Sequence, residues 1–185
     1  MSAQPTTGVS TAAVTLDGFG VLDECHRQTL VALGQLDTLV SRLKDNGPDD
    51  EARTLADKII EHFSFTARRH HEDEERYVFP QLVVGGDPAT VQAVLRLQQD
   101  HNWIEEDWME LSAHLEAVAS GRSWCDVDLL REGAEIFSAL LHEHIALEES
   151  FIYPQARARL RPGEVLDIGR TAATRRRVPS AAKRV

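Results

Sequence analysis

The chain has 185 residues, 42% of them apolar, and a net charge of -10 from 30 acidic and 20 basic side chains. That is enough chain to bury a core as one domain. The acidic balance disfavours nucleic acid as a partner, since phosphate contacts need a basic surface. The longest apolar stretches run only a few residues, far short of the roughly 20 that a membrane span needs.

Met1 to Thr15 lacks both the basic start and the apolar run of a secretory signal. Residues 1–15 therefore read as a disordered lead, and the expected compartment is the cytoplasm. Cys25 and Cys125 are isolated, with no C-x-x-C spacing, which argues against a disulfide framework or a zinc ribbon and predicts reduced thiols.

From Leu22 the residues Leu22, His26, Thr29, Leu33, Leu36, Val40 and Leu43 recur at alternating steps of four and three, the period of a helix packed along its length. Asp45-Asn46-Gly47-Pro48-Asp49-Asp50 stops that helix, and its last aspartates suit the start of the next. The second helix is predicted over 51–81, with Leu55, Ile59, Phe63 and Tyr77 inward. Gly85-Gly86-Asp87-Pro88 breaks it and places Pro88 in the first turn of a third helix. There Val94, Leu97, His101, Ile104, Trp108, Leu111, Leu115 and Val118 repeat the alternating step. A fourth helix, predicted over 127–160 after Ser120-Gly121-Arg122-Ser123, should bury Ile136, Phe137, Leu140, Leu141, Phe151 and Ile152. No stretch alternates in the manner of a strand. The expected class is all-α, an up-down-up-down antiparallel four-helix bundle over 16–160, because short connections favour antiparallel neighbours. Residues 161–185 carry seven arginines and lysines against Glu164 and Asp167. They read as a basic tail, solvated or set against an acidic partner that the sequence does not identify.

The two halves of the chain repeat. His70-His71-Glu72-Asp73-Glu74-Glu75 and His144-Ile145-Ala146-Leu147-Glu148-Glu149 both read H-x-x-x-E-E, each followed four residues later by an aromatic and then Pro-Gln. His26 and His101 sit 44 and 43 residues upstream of His70 and His144. Residues i and i+4 share a helix face, so His70 with Glu74 and His144 with Glu148 can address one interior site. Antiparallel hairpins bring His26 and His101 to the same level. Four imidazoles and at least two carboxylates in the stripes of the core leucines would cost several kcal/mol each if left unpaired, against a total stability of about 5–15 kcal/mol. A metal resolves that conflict. Imidazole with carboxylate suits iron or manganese, and the lack of cysteine argues against structural zinc. Because a carboxylate can bridge, the set is open to one ion or two.

These residues resemble the hemerythrin-like, or HHE cation-binding, domains over about Leu22 to Leu160. The runs His70 to Pro80 and His144 to Pro154 are the most specific. Leu22-Asp23-Glu24-Cys25-His26-Arg27, the run Arg69 to Pro80, and Ile168-Gly169-Arg170 through Arg176-Arg177 look like a bacterial branch of that family. The resemblance implies an up-down bundle with a non-haem di-iron centre, two iron ions per chain. His26, His70, His101 and His144 would be ligands and Glu74 and Glu148 bridging carboxylates. Oxygen-carrying members place two histidines four apart on the third helix, where this chain has His101 and Glu105. They end in H-x-x-x-x-D, where it has His144-x-x-x-Glu148. Glu105 is therefore expected as a ligand, and the expected chemistry is reaction with, or sensing of, oxygen, peroxide or nitric oxide, or iron storage, rather than reversible oxygen carriage. His71, Glu75 and Glu149 are expected beside the ligands, supporting them. His62, His114 and His142 are expected to be ordinary. A ferritin-like oxidase would show Glu-x-x-His on two helices, and this chain has none. The competing reading is a regulatory module whose metal is mainly structural and whose tail meets a partner.

Overall fold

A computed structural model describes residues 18–122 and 125–160. The expected lead and basic tail, together with Ser123, lie outside them. Four long helices follow one another: α1 (Gly18–Asn46), α2 (residues 50–83), α3 (Pro88–Ala119) and α4 (residues 127–159). α1 and α3 each pack against both α2 and α4, which closes the ring expected of an up-down bundle. No helix among the described residues is long and apolar enough to cross a membrane.

The connections carry the caps that the sequence promised. Asp49, Asp87 and Asp126 accept hydrogen bonds from the first free N–H groups of α2, α3 and α4, satisfying donors that have no partner within the helix. The chain leaves the preceding helices through left-handed turns at Gly47 (φ 71°), Gly85 (φ 70°) and Gly121 (φ 67°), a conformation that a Cβ disfavours.

The core lies in two apolar layers. One gathers Leu33, Leu36, Ile59, Phe63, Trp108, Leu115 and Phe137 among others; the other gathers Phe19, Leu22, Val78, Phe79, Leu97 and Ile152. Along every helix the switch from one layer to the other occurs at a histidine or glutamate: His26 in α1, His70 and Glu74 in α2, His101 in α3, His144 and Glu148 in α4. One expected core residue is misplaced, since Ile136 is 63% exposed. The inward stripe of α4 runs Leu130, Ala134, Phe137, Leu141 and His144, and Ile136 stands about 100° off that line. Leu55, Tyr77, Leu140 and Phe151 are only partly buried at the edge of the two layers.

α2 and α4 are not regular throughout. Each contains a π-helical turn that begins at its glutamate, Glu74–Val78 and Glu148–Ile152, closed by the N–H of Phe79 and Tyr153 reaching five residues back to the glutamate carbonyl. Pro80 and Pro154 follow at once; neither has an N–H for the α-helical bond, which frees the carbonyl four residues before it and favours the wider turn. In a regular helix a residue five positions on would point about 140° away. The extra residue in the turn instead brings Glu74 and Phe79, and likewise Glu148 and Tyr153, to the inside.

Candidate metal centre

The polar layer between the two apolar ones holds two pockets. In the first, His26, His70, Glu74 and Glu148 each offer one donor atom, and these atoms lie within 4.8 Å of one another. In the second, His71, Glu74, His101 and His144 do the same. The carboxylates stand between them, both 0% exposed. Glu74 Oε1 lies 3.4 Å from His70 Nε2 and its Oε2 lies 3.6 Å from His101 Nε2. Glu148 Oε2 lies 3.0 Å from His26 Nε2 and its Oε1 lies 3.3 Å from His144 Nε2. Each carboxylate thus shows one oxygen to each pocket.

Two of the outer nitrogens are held from behind, and a third has a carboxylate near it. His26 Nδ1 donates to Glu149 Oε1 at 3.1 Å and His101 Nδ1 to Glu75 Oε1 at 2.8 Å, while His144 Nδ1 lies 3.8 Å from Asp100 Oδ2. A carboxylate that takes the Nδ1 proton leaves the Nε2 lone pair facing inward, the arrangement found behind metal-bound imidazoles. The Tyr153 hydroxyl enters the first pocket, donating to Glu74 Oε1 and lying 3.2 Å from His26 Nε2.

Among the described residues several inward atoms have no hydrogen-bond partner: His70 Nε2, His101 Nε2, His144 Nε2, Glu74 Oε2 and both oxygens of Glu148. Buried polar atoms are ordinarily paired, at a cost of about 1–3 kcal/mol each when they are not. Their common direction, and a donor set of nitrogen and oxygen without sulfur, fit a first-row cation such as iron or manganese.

The electrostatics agree. Burial, and then the adjacent Glu148, push the Glu74 carboxyl well above its usual range. Burial acts the same way on Glu148, but His144 and His26 outweigh it and hold that carboxyl well below the usual range. Burial opposes charge on His144, yet Glu148 and Asp100 push it up to about 9. His70, His71 and His101 are lowered by burial and by neighbouring imidazoles, which keeps them neutral. The protein alone balances its two carboxylates with protons, on Glu74 and on His144. Neutral imidazoles and displaceable protons are what a cation requires.

The structure brings His26, His70, Glu74, His101, His144 and Glu148 together, with Glu75 and Glu149 behind two of the histidines. Glu105 is a correction. It is 42% exposed and its carboxylate faces Arg68 at 3.4 Å. After His101 the inward stripe of α3 steps to Ile104, so Glu105 falls on the rim, where water and Arg68 meet its charge without a desolvation cost. The histidine that the third helix lacks is supplied from α2: His71, expected only beside the ligands, belongs to the second pocket and stacks on His101 at 4.2 Å. Asp100 and Tyr153 were missed altogether. The signal for Tyr153 was present, since the repeat aligns its hydroxyl with the bare ring of Phe79.

Histidines and carboxylates converging between the helices of a bundle define a cation-binding helical protein. The chain belongs to the hemerythrin HHE cation-binding domain family, whose pattern it matches over residues 17–156. It is also 30% identical over 158 residues to an uncharacterized protein of Haemophilus influenzae, covering 85% of this chain and 89% of that one.

Proposed function

We propose that the chain is a non-haem iron protein with two iron ions per chain, one in each pocket, bridged by Glu74 and Glu148, and that it reacts with or senses oxygen, peroxide or nitric oxide, or holds iron. The observation that carries this reading is the placement of each carboxylate, with one oxygen toward either pocket. The first pocket would hold its ion with His26 and His70, the second with His71, His101 and His144. Iron held there supplies a redox-active Lewis acid for a small molecule. The chain's own part is to fix His26 through Glu149 and His101 through Glu75, to set Asp100 beside His144, and to bury the layer between the two apolar ones. We infer a cytoplasmic setting, with which Cys25 and Cys125 accord, since they form no disulfide.

The test is metal analysis of full-length protein purified without chelator. Iron should approach two per chain, and His70→Ala and His144→Ala, which strike different pockets, should each lower it toward one. Full loading in both variants overturns the assignment.

A further inference from the structure

We propose that Tyr153 is a metal ligand of the first pocket, the counterpart of His71 in the second. The inference rests on the reading of the layer as an iron site and adds a residue that the sequence pattern gave no role.

It starts from the way the repeat is broken. Superposing His70 on His144 pairs His71 with Ile145 and Phe79 with Tyr153. Each half therefore has one donor that the other lacks, at a different position of the repeat. The first hairpin's extra donor, His71, serves the pocket built on His101 and His144 of the second hairpin. The second hairpin's extra donor, Tyr153, reaches the pocket built on His26 and His70 of the first. Apart from these two residues, the pockets have matching imidazoles and share Glu74 and Glu148. Counting Tyr153, each presents five donor atoms.

The geometry holds the hydroxyl inside the donor cluster. Tyr153 is 2% exposed. Its oxygen hydrogen-bonds Glu74 Oε1 and sits 3.2 Å from His26 Nε2, two atoms that themselves face the pocket. The ring is fixed by parallel stacking on His26 at 5.3 Å and by the edge of Phe19 at 5.7 Å. The π turn starting at Glu148 is what carries Tyr153 inward. Phe79, placed by the matching turn, stacks on His101 at 5.6 Å but offers only carbon. A phenolate oxygen is a hard donor of the kind that holds ferric iron elsewhere in proteins. On coordination the oxygen–iron bond forms and the phenolic proton leaves to solvent.

The chain has two tyrosines, and the other, Tyr77, is only partly buried, with Arg76 over its ring at 5.3 Å. An assignment between them is therefore direct. Full-length protein loaded with ferric iron should show a phenolate-to-iron charge-transfer band in the visible, with tyrosine ring modes enhanced in resonance Raman. Tyr153→Phe should abolish both while at least one iron per chain remains, and Tyr77→Phe should leave both intact. Ile145→His added to Tyr153→Phe should raise iron content again without restoring the band, since it supplies the first pocket with an imidazole at the repeat position of His71. Iron bound at two per chain with no such band overturns the role of Tyr153 alone, as does a band that survives Tyr153→Phe. A chain that takes up no iron overturns both this inference and the function on which it rests. If Tyr153→Phe does not fold, a band retained in Tyr77→Phe still assigns it to Tyr153, and a band absent from iron-loaded wild type or lost in Tyr77→Phe still overturns the role.

Discussion

Loading the polar layer with a cation should raise the melting temperature by an amount that the structure lets one estimate. The donors of both pockets come from four separate helices, so the unfolded chain cannot reproduce either pocket and binding stabilises the folded state by mass action. At free cation one hundred times the dissociation constant, each pocket contributes about 2.7 kcal/mol. The roughly 140 residues between Gly18 and Leu160 unfold with an entropy of about 2.1 cal/mol/K each, or about 0.3 kcal/mol/K in total. The shift is then about 9 °C for one filled pocket and about 18 °C for two. The assay is thermal unfolding by far-UV circular dichroism on chelator-treated full-length protein, with ferrous iron added without air and manganese in parallel. His70→Ala and His144→Ala should each forfeit about half of the shift. A melting temperature unchanged by saturating cation would refute the reasoning, and so would a shift in both variants as large as that of the unsubstituted chain, which would locate binding on the acidic surface instead.

Glu105→Ala should leave metal content unchanged, because its carboxylate meets Arg68 at the rim, whereas His71→Ala should lower it by emptying one position of the second pocket; metal analysis of the two variants side by side checks both. His62, hydrogen-bonded to Thr29 at 2.9 Å, is lowered by burial to about 4 from an ordinary 6.5. The unfolded chain therefore takes up a proton that the folded one refuses between those values, so stability is complete above about pH 6.5 and falls by roughly 3 kcal/mol as pH drops toward 4. Urea unfolding of metal-free protein across that range should show the slope, and His62→Gln should remove its share, leaving the part that comes from His70, His71 and His101. Phe137→Ala should cost about 3–5 kcal/mol and Ile136→Ala less than about 0.5 kcal/mol, a contrast between neighbours that denaturant melts resolve.

Helix number, connections and the level of the polar layer were legible because each rests on spacing. His26 and His101 occupy steps of apolar stripes that would otherwise be leucine, and the aspartates and glycines of the three breaks act locally. His71 was harder to read because adjacent residues on a helix diverge by about 100°. α2 has neighbours on two sides: His70 turns to His26 of α1 at 4.7 Å and His71 to His101 of α3 at 4.2 Å. A one-stripe view of α2 admits only one of them. The repeat set Tyr153 against Phe79, but α-helical periodicity points it away from Glu148, and only the π turn ahead of Pro154 restores it. Glu105 misled because i+4 from a buried histidine is a sound rule only when the stripe takes the four-residue step, and after His101 it takes three.

The carboxylates of the repeat work across the hairpins as well as within them. Glu74 of α2 faces its own His70 and also His101 of α3; Glu148 of α4 faces its own His144 and also His26 of α1. The residues behind them cross in the same sense, Glu75 to His101 and Glu149 to His26. Neither hairpin alone contains a complete pocket, so the free energy of binding a cation and the free energy of docking one hairpin on the other are coupled. The apolar layers on either side are continuous across all four helices and hold the hairpins together in any case. What a cation adds is concentrated in the one layer where the protein by itself sets carboxylate against carboxylate and must balance them with protons. Its loss should therefore loosen the docking of the hairpins at that level while leaving the helices themselves, packed along most of their length, intact.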